Sequence, residues 1–297
     1  MEIGLIDVDG HNFPNLALMK ISAYEKKLNN RVEWWNGLKH YDRVYQAKVF
    51  DDTYTQDNMF CIMADEVIKG GTGYGLDNVL AEEIEHLYPD YALYQKYTKE
   101  TAYGFLTRGC PRGCGFCIVS KKEGCLSKQV ADLSEFWKGQ REIKLLDPNL
   151  LACKEQEILL GQLAESGAYV DFTQGLDIRL ATKDSVRLLN QIRTKSLHFA
   201  WDNPKEDLVH FFIKFNELTR IKDHRLKGVY VLTNYNSTLE EDLYRIYMLR
   251  DLGYDPYVMI YDKPHAPKEI RHLQRWCNNK IVFNAEPDFK KFNPRIA

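Results

Sequence analysis

Between residues 103 and 261, short runs rich in β-branched and aromatic residues return at a steady interval: Tyr103–Thr107, Ile143–Leu146, Tyr169–Thr173, Leu197–Trp201, Val229–Leu232 and Tyr257–Tyr261. After a first, longer gap they recur about every 28 residues. The segments between them carry helical patterns. Glu155–Ser166 sets Ile158, Leu159, Leu163 and Ala164 near one face, with Gly167 as a stop. Thr182 can cap a run through Ile192 whose Val186, Leu188 and Leu189 suit a buried stripe. Ser237, with Glu240 as capping-box partner, opens a further run that ends at Gly253. Strands alternating with helices at this spacing read as βα units around a parallel sheet.

Six such units support a barrel or partial barrel and are too few for a closed eight-stranded one; chemistry in such folds sits beyond the carboxyl ends of the strands. Those ends are Gly109-Cys110, Asp147-Pro148-Asn149, Gln174 with Asp177 and Arg179, Asp202-Asn203, Thr233-Asn234 and Asp262-Lys263. Exposed strand ends are polar in any protein, yet here six converge beside a cysteine cluster. The first 95 residues read as a smaller α/β unit. It has strands at Ile3–Val8, Val32–Trp35, Val44–Val49 and Glu66–Ile68, a helix over Asn15–Leu28 just after Pro14, and a Gly70–Gly75 turn. The expected organisation is therefore 1–95, 96–265 and a C-terminal extension over 266–297.

Composition narrows the class. With 40 Lys+Arg against 42 Asp+Glu, 44% hydrophobic and 28% charged residues, the chain has a globular balance and no charge excess for coating nucleic acid. No apolar run approaches the ~20 residues of a membrane span, and no secretory signal is visible, so a cytoplasmic location is expected. Seven cysteines, an odd number, argue against a disulfide framework.

Three of these cysteines share one stretch, Thr107-Arg108-Gly109-Cys110-Pro111-Arg112-Gly113-Cys114-Gly115-Phe116-Cys117, with spacing C-x3-C-x2-C. Three thiolates on a glycine-rich loop can grip three corners of a cubane iron–sulfur cluster and leave one iron open. The alternative is a zinc knuckle completed by Cys125, but zinc sites of four cysteines usually pair two C-x2-C hooks, and only one is present.

Following the first strand of a βα barrel, Cys110-x3-Cys114-x-Phe116-Cys117 resembles the signature of the radical S-adenosylmethionine (SAM) superfamily. The resemblance spans about residues 100–265. It implies an α/β fold with a six-unit partial (β/α) TIM-like barrel, and a [4Fe-4S] cluster on Cys110, Cys114 and Cys117 whose open iron binds S-adenosylmethionine. It further implies reductive cleavage to a 5′-deoxyadenosyl radical that abstracts hydrogen from a substrate, with electrons from a flavodoxin- or ferredoxin-type donor. Phe116 would pack near the adenine, Asp147 and Asn149 stand where many members hold the SAM amine with Gly-Gly-Glu, Arg179 could clamp the carboxylate, and Asp202 or Asn234 the ribose hydroxyls. The identity of the substrate and the outcome of the reaction stay open.

The N-terminal unit resembles the flavodoxin-like cobalamin-binding domain that precedes the barrel in some members. Asp9-x-His11-x-x-Pro14 approaches D-x-H-x-x-G, where His is the lower axial ligand, and Gly70-Gly71 sits where such domains carry a glycine pair. Pro14 in place of glycine, the short unit and the absence of an S-x-L element instead favour a capping domain without cobalamin. Residues 263–297 carry eight Lys/Arg against three acids, interleaved with Trp276, Phe283, Phe289 and Phe292. Such a tail can bind single-stranded nucleic acid, cover the barrel, or lie solvated, the commoner outcome. A non-catalytic Cys-ligated metal protein whose basic tail recognises nucleic acid is the competing reading.

Overall fold

The computed structural model describes residues 1–10, 13–57 and 61–294. It is an α/β structure built on two parallel sheets. The first contains β1 (Glu2–Asp7), β2 (Arg31–Trp34), β3 (Tyr41–Ala47) and β4 (Ala64–Gly70) in the order β2-β1-β3-β4. Its one long helix is α1 (Leu16–Lys27), whose N-cap Asn15 side chain accepts from the Leu18 amide at 3.1 Å. Ile3 and Leu5 of β1 meet Leu18 and Ile21 of α1 on one face, while Ile6, Tyr41 and Val44 form a small core on the other. The short helices α2 (Glu82–Glu85) and α3 (Gln95–Thr98) lead into the second sheet.

That sheet comprises β5 (Thr101–Gly104), β8 (Glu142–Leu145), β9 (Tyr169–Leu176), β10 (Arg193–Ala200), β11 (Lys227–Thr233) and β12 (Asp255–Ile260), each pairing in parallel with the next in sequence. The expected first strand, Tyr103–Thr107, is split: β5 stops at Gly104, and Thr107–Arg108 forms β6, which pairs antiparallel with β7 (Lys128–Gln129). Helix α4 (Val119–Glu123) lies between β6 and β7. The helices that follow are α5 (Gln156–Ser166), α6 (Lys183–Leu189), α7 (Val209–Leu218), α8 (Leu239–Asp251), α9 (Lys268–Asn278) and α10 (Lys280–Ala285).

Local signals explain most of these boundaries. Gly167 closes α5 in the left-handed conformation, at φ 64°. Thr182 caps α6, which ends at Leu189 rather than Ile192. The cap of α8 is Thr238, one residue beyond Ser237. Its hydroxyl accepts from the Glu241 amide at 3.2 Å and its own amide donates to Glu241 at 2.8 Å, so the reciprocal pair is Thr238/Glu241 and not Ser237/Glu240.

Alternation along the strands divides the six-stranded sheet into two faces. Ile143, Leu145, Val170, Phe172, Leu197, Phe199, Val229, Val231 and Val258 share one core with helix residues such as Leu159, Val186, Phe212, Ile246 and Leu273. Burying aliphatic and aromatic side chains of this size is worth about 1.5–3 kcal/mol each, and this core dominates the stability of the unit. The opposite face carries Tyr103, Lys144, Asp171, His198 and Tyr230.

Part of the C-terminal extension is packed into the core rather than solvated. Ile270, Leu273, Trp276 and Cys277 are buried on one side of α9, which packs on β12. Trp276 is 0% exposed and stands edge-on to Phe283 at 4.7 Å, with Phe289 at 5.4 Å. The aromatics read as a stacking platform for nucleic acid are thus core and near-core residues; Ile270, Leu273 and Trp276, at i, i+3 and i+6, form the apolar face that α9 turns to the sheet.

Candidate metal centre

The cysteine loop grows out of β6. Gly109 is at φ 86°, and a Cβ there would come within 2.3 Å of the Leu126 carbonyl oxygen, so only glycine lets the chain turn this close. The Cys110 amide donates to the Gly124 carbonyl at 3.2 Å, and the Cys117 amide to that of Cys114 at 2.9 Å. Glu123 braces the base of the loop, accepting from Arg108 at 2.8 Å and from the Gly109 amide at 3.1 Å.

Three contacts seat the loop over the carboxyl ends of the strands. Arg112, between the first two cysteines, pairs with Asp177 just after β9. Phe116 stands edge-on to Tyr235, beyond β11, at 5.3 Å, and Tyr235 does the same to Tyr261, beyond β12, at 4.8 Å. The Asn149 amide, from the loop after β8, reaches the Cys110 Sγ at 3.6 Å. The Asn149 Oδ1 is buried without a partner, an orphaned acceptor beside the first thiol.

Electrostatics join the rest. Burial pushes the Cys114 thiol pKa up, and the charges of Asp202, Cys117 and Cys110 act in the same direction against Arg179. Burial likewise raises the Asp202 carboxyl to about 6, although Arg245 and Arg179 pull it down. Arg179 is itself raised: burial works against its charge, and the Asp177 carboxylate, which accepts from its Nε at 2.7 Å, together with Glu206 outweighs that.

The expected site residues therefore fall into distinct roles. Cys110, Cys114, Cys117, Phe116, Asn149, Arg179 and Asp202 gather at one mouth. Asp147 is nearby but occupied: it accepts from the Leu106 amide at 3.1 Å and the Thr107 hydroxyl at 2.7 Å, and burial lifts its pKa to about 6. These bonds make it a brace for the end of the first strand rather than an open acceptor. Asn234, left-handed at φ 62°, staples β11 to β12 by donating to the Tyr261 carbonyl at 2.8 Å. His11 lies outside the described residues.

Sequence reasoning missed several supports. Arg245 and Asp242 are paired and fully buried, and the guanidinium also donates to the carbonyls of Asp202 at 3.1 Å and Leu232 at 2.9 Å, tying the ends of β10 and β11. The Asp-x-x-Arg spacing on a helix facing a core was the available signal. Below the mouth, Asp171 is 9% exposed with an unpartnered Oδ1, 3.9 Å from Lys144 and 4.0 Å from His198, which stacks on Tyr230 at 5.0 Å. Nothing in the sequence marks these as neighbours, since each comes from a different strand.

Among the described residues no three His, Cys, Asp or Glu side chains are closed into a ready-made coordination set, and all seven cysteines are free thiols. The donor chemistry nevertheless suits a soft, thiophilic centre: three accessible thiols on one loop, an amide directed at the first sulfur and an orphaned amide oxygen beside it. A bound cation would reverse the rise at Cys114, because a coordinating thiol is deprotonated. No protein-family model and no curated protein matches the chain.

Proposed function

We propose that the chain is a radical SAM enzyme. The observation that carries this reading is the seating of the Cys110–Cys117 loop across the carboxyl-end mouth of a six-stranded parallel sheet whose strands follow one another in order. We read residues 96–265 as a six-unit partial (β/α) barrel, to which α9 contributes the last helix. A [4Fe-4S] cluster held by Cys110, Cys114 and Cys117 would supply, when bound, the electron for reductive cleavage of S-adenosylmethionine.

The chain's own residues supply the setting. Asn149 donates toward the Cys110 sulfur, a contact of the kind that tunes cluster potential. Arg179, held by Asp177 and Glu206, offers a fixed guanidinium for a carboxylate, and Asp202 a carboxyl for a hydroxyl or ammonium. Phe116 and Tyr235 form an aromatic wall for a planar base. The face with Lys144, Asp171, His198 and Tyr230 is where we place the substrate. The burial of Trp276 and Phe283 counts against the competing nucleic-acid reading.

The strand order β2-β1-β3-β4 is that of a truncated flavodoxin-like domain, and we read the first unit as a cap without cobalamin. Asp9 is spent on the Val49 and Phe50 amides, and Gly71 and Gly73 press against the backbone of Lys48 and Phe50. An oxygen-sensitive cluster and free thiols suit the cytoplasm, with a flavodoxin- or ferredoxin-type protein as electron donor.

The test is anaerobic reconstitution with iron and sulfide, followed by dithionite and S-adenosylmethionine. About four irons per chain and formation of 5′-deoxyadenosine, both lost in Cys114→Ala, are expected. A colourless protein holding one zinc, with no 5′-deoxyadenosine, would overturn the proposal in favour of a non-catalytic metal-binding protein.

A further inference from the structure

At the opposite end of the second sheet, where β11 and β12 begin, lies a cavity of about 730 Å³. Lys222, Arg225, Lys227, Arg250 and Lys280 line it, with Tyr254 at its wall. Three of these cations have carboxylates. Arg225 pairs with Asp223 at 2.6 Å, Lys280 with Asp255 at 2.8 Å, and Arg250 with Asp251 at 3.5 Å.

Lys222 and Lys227 have no carboxylate partner among the described residues. Both ammonium groups converge on one residue: Lys227 donates to Asn216 Oδ1 at 2.7 Å, and Lys222 to the Asn216 carbonyl at 3.3 Å and the Thr219 carbonyl at 2.9 Å. Lys227 is only 4% exposed, and its ammonium lies 4.6 Å from the centre of the Tyr254 ring. Burial and the neighbouring Lys222 both disfavour its charged form. Lysine is almost never buried unpaired, because the desolvated charge is costly unless an opposite charge offsets it. Here a like charge stands beside it, and the two open onto a cavity of the size that takes small ligands.

We propose that this cavity binds a small, multiply charged phosphate-bearing anion that bridges Lys222 and Lys227, with Arg225 and Arg250 at its rim. Several tetrahedral oxygens can each accept from a separate donor, which matches cations spread around a bowl better than a single carboxylate would. The recess favours a small molecule over a polymer, since Lys227 lies at its buried wall and not along an exposed strip. The site is remote from the cysteine loop, and the proposal stands or falls independently of the chemistry assigned there.

Pyrophosphate is the probe, titrated into the full-length chain by calorimetry and thermal melting, with sodium chloride matching ionic strength. Saturable binding and a rise in melting midpoint are expected. Lys222→Gln and Lys227→Met should each weaken binding at least tenfold, and Lys227→Met should raise the midpoint of the free protein by removing an uncompensated charge. Lys222 is exposed, so its replacement reports on the site even if the Lys227 variant folds poorly. The proposal is overturned if pyrophosphate gives no more than the chloride control, or if both variants bind as the wild type does. It is overturned equally if a single-stranded RNA oligomer binds more tightly than pyrophosphate and is indifferent to Lys222→Gln.

Discussion

The two parallel sheets of this chain use their carboxyl ends in opposite ways. In the first sheet the order reverses between β1 and β3, the arrangement that opens a ligand crevice in α/β proteins. At those strand ends the described groups already have partners: Asp9 accepts two amides, Gly71 packs onto the Lys48 carbonyl, and the nearby Asp57 carboxyl, despite some burial, is held below its usual range by Lys69 and Tyr74. In the second sheet, with strands in sequential order, the mouth keeps unspent groups: free thiols and an orphaned amide oxygen at Asn149, beside an Asp202 carboxyl raised by burial. A satisfied strand end is structure, whereas one holding unpaired, perturbed groups is where a ligand has something to gain.

The largest effect that would sharpen this contrast is at Arg245. Arg245→Ala leaves Asp242 buried and unpaired and frees the ends of β10 and β11, so urea unfolding should show a loss of about 3–5 kcal/mol. Retention of iron after reconstitution should fall with it.

Next comes the pH dependence of the mouth. The Asp202 pKa, about 6, lies above the ordinary 3.8, so the folded state binds that proton more tightly than the unfolded one. This group therefore makes the protein more stable as pH falls from about 6 to about 4, and destabilises it above that window. Asp202→Asn should flatten that slope and be the more stable protein at pH 7, by up to about 2–3 kcal/mol. Urea midpoints at pH 4.5 and 7 check this, and an unchanged slope would remove the electrostatic half of the comparison.

A pair of glycine replacements tests it more finely. Gly71→Ala and Gly109→Ala each bring a Cβ to 2.3 Å from a carbonyl oxygen at positive φ, and each should cost about 1–3 kcal/mol. Only Gly109→Ala should lower iron per folded chain, because only that turn presents the cysteines. Equal loss in both would mean that the first unit shares in the site.

The smallest effect is expected at two exposed lysines of the C-terminal segment. Lys290→Ala with Lys291→Ala, both exposed, should leave stability within about 0.5 kcal/mol. Trp276→Ala, in the same segment, should cost about 3–5 kcal/mol.

Much of this could be read in one dimension. The recurring β-rich runs fell on β8 to β12, the helix after Pro14 and the cap at Thr182 were legible, and the cysteine spacing marked the loop that spans the mouth. Helix α7 escaped notice, its dense run of aromatics hiding the period, and the cap of α8 was misplaced by one because Ser237 and Thr238 are both plausible caps. A solvated tail was the commoner expectation because charge is visible in a sequence, whereas the partner that buries Trp276 is not.

By itself the sequence determined what is local: strand period, helix caps, the C-x3-C-x2-C loop and the need for glycine at 109. Tertiary structure alone decided what depends on residues far apart in the chain. It set Asp147 to bracing the strand end and brought Arg112 to Asp177 and Phe116 to Tyr235. It also left Lys222 and Lys227 side by side on Asn216 without a carboxylate. The division has a physical cause: caps and turns are set by neighbours a few bonds away, while burial and the pairing of charges depend on which surfaces the folded chain brings together.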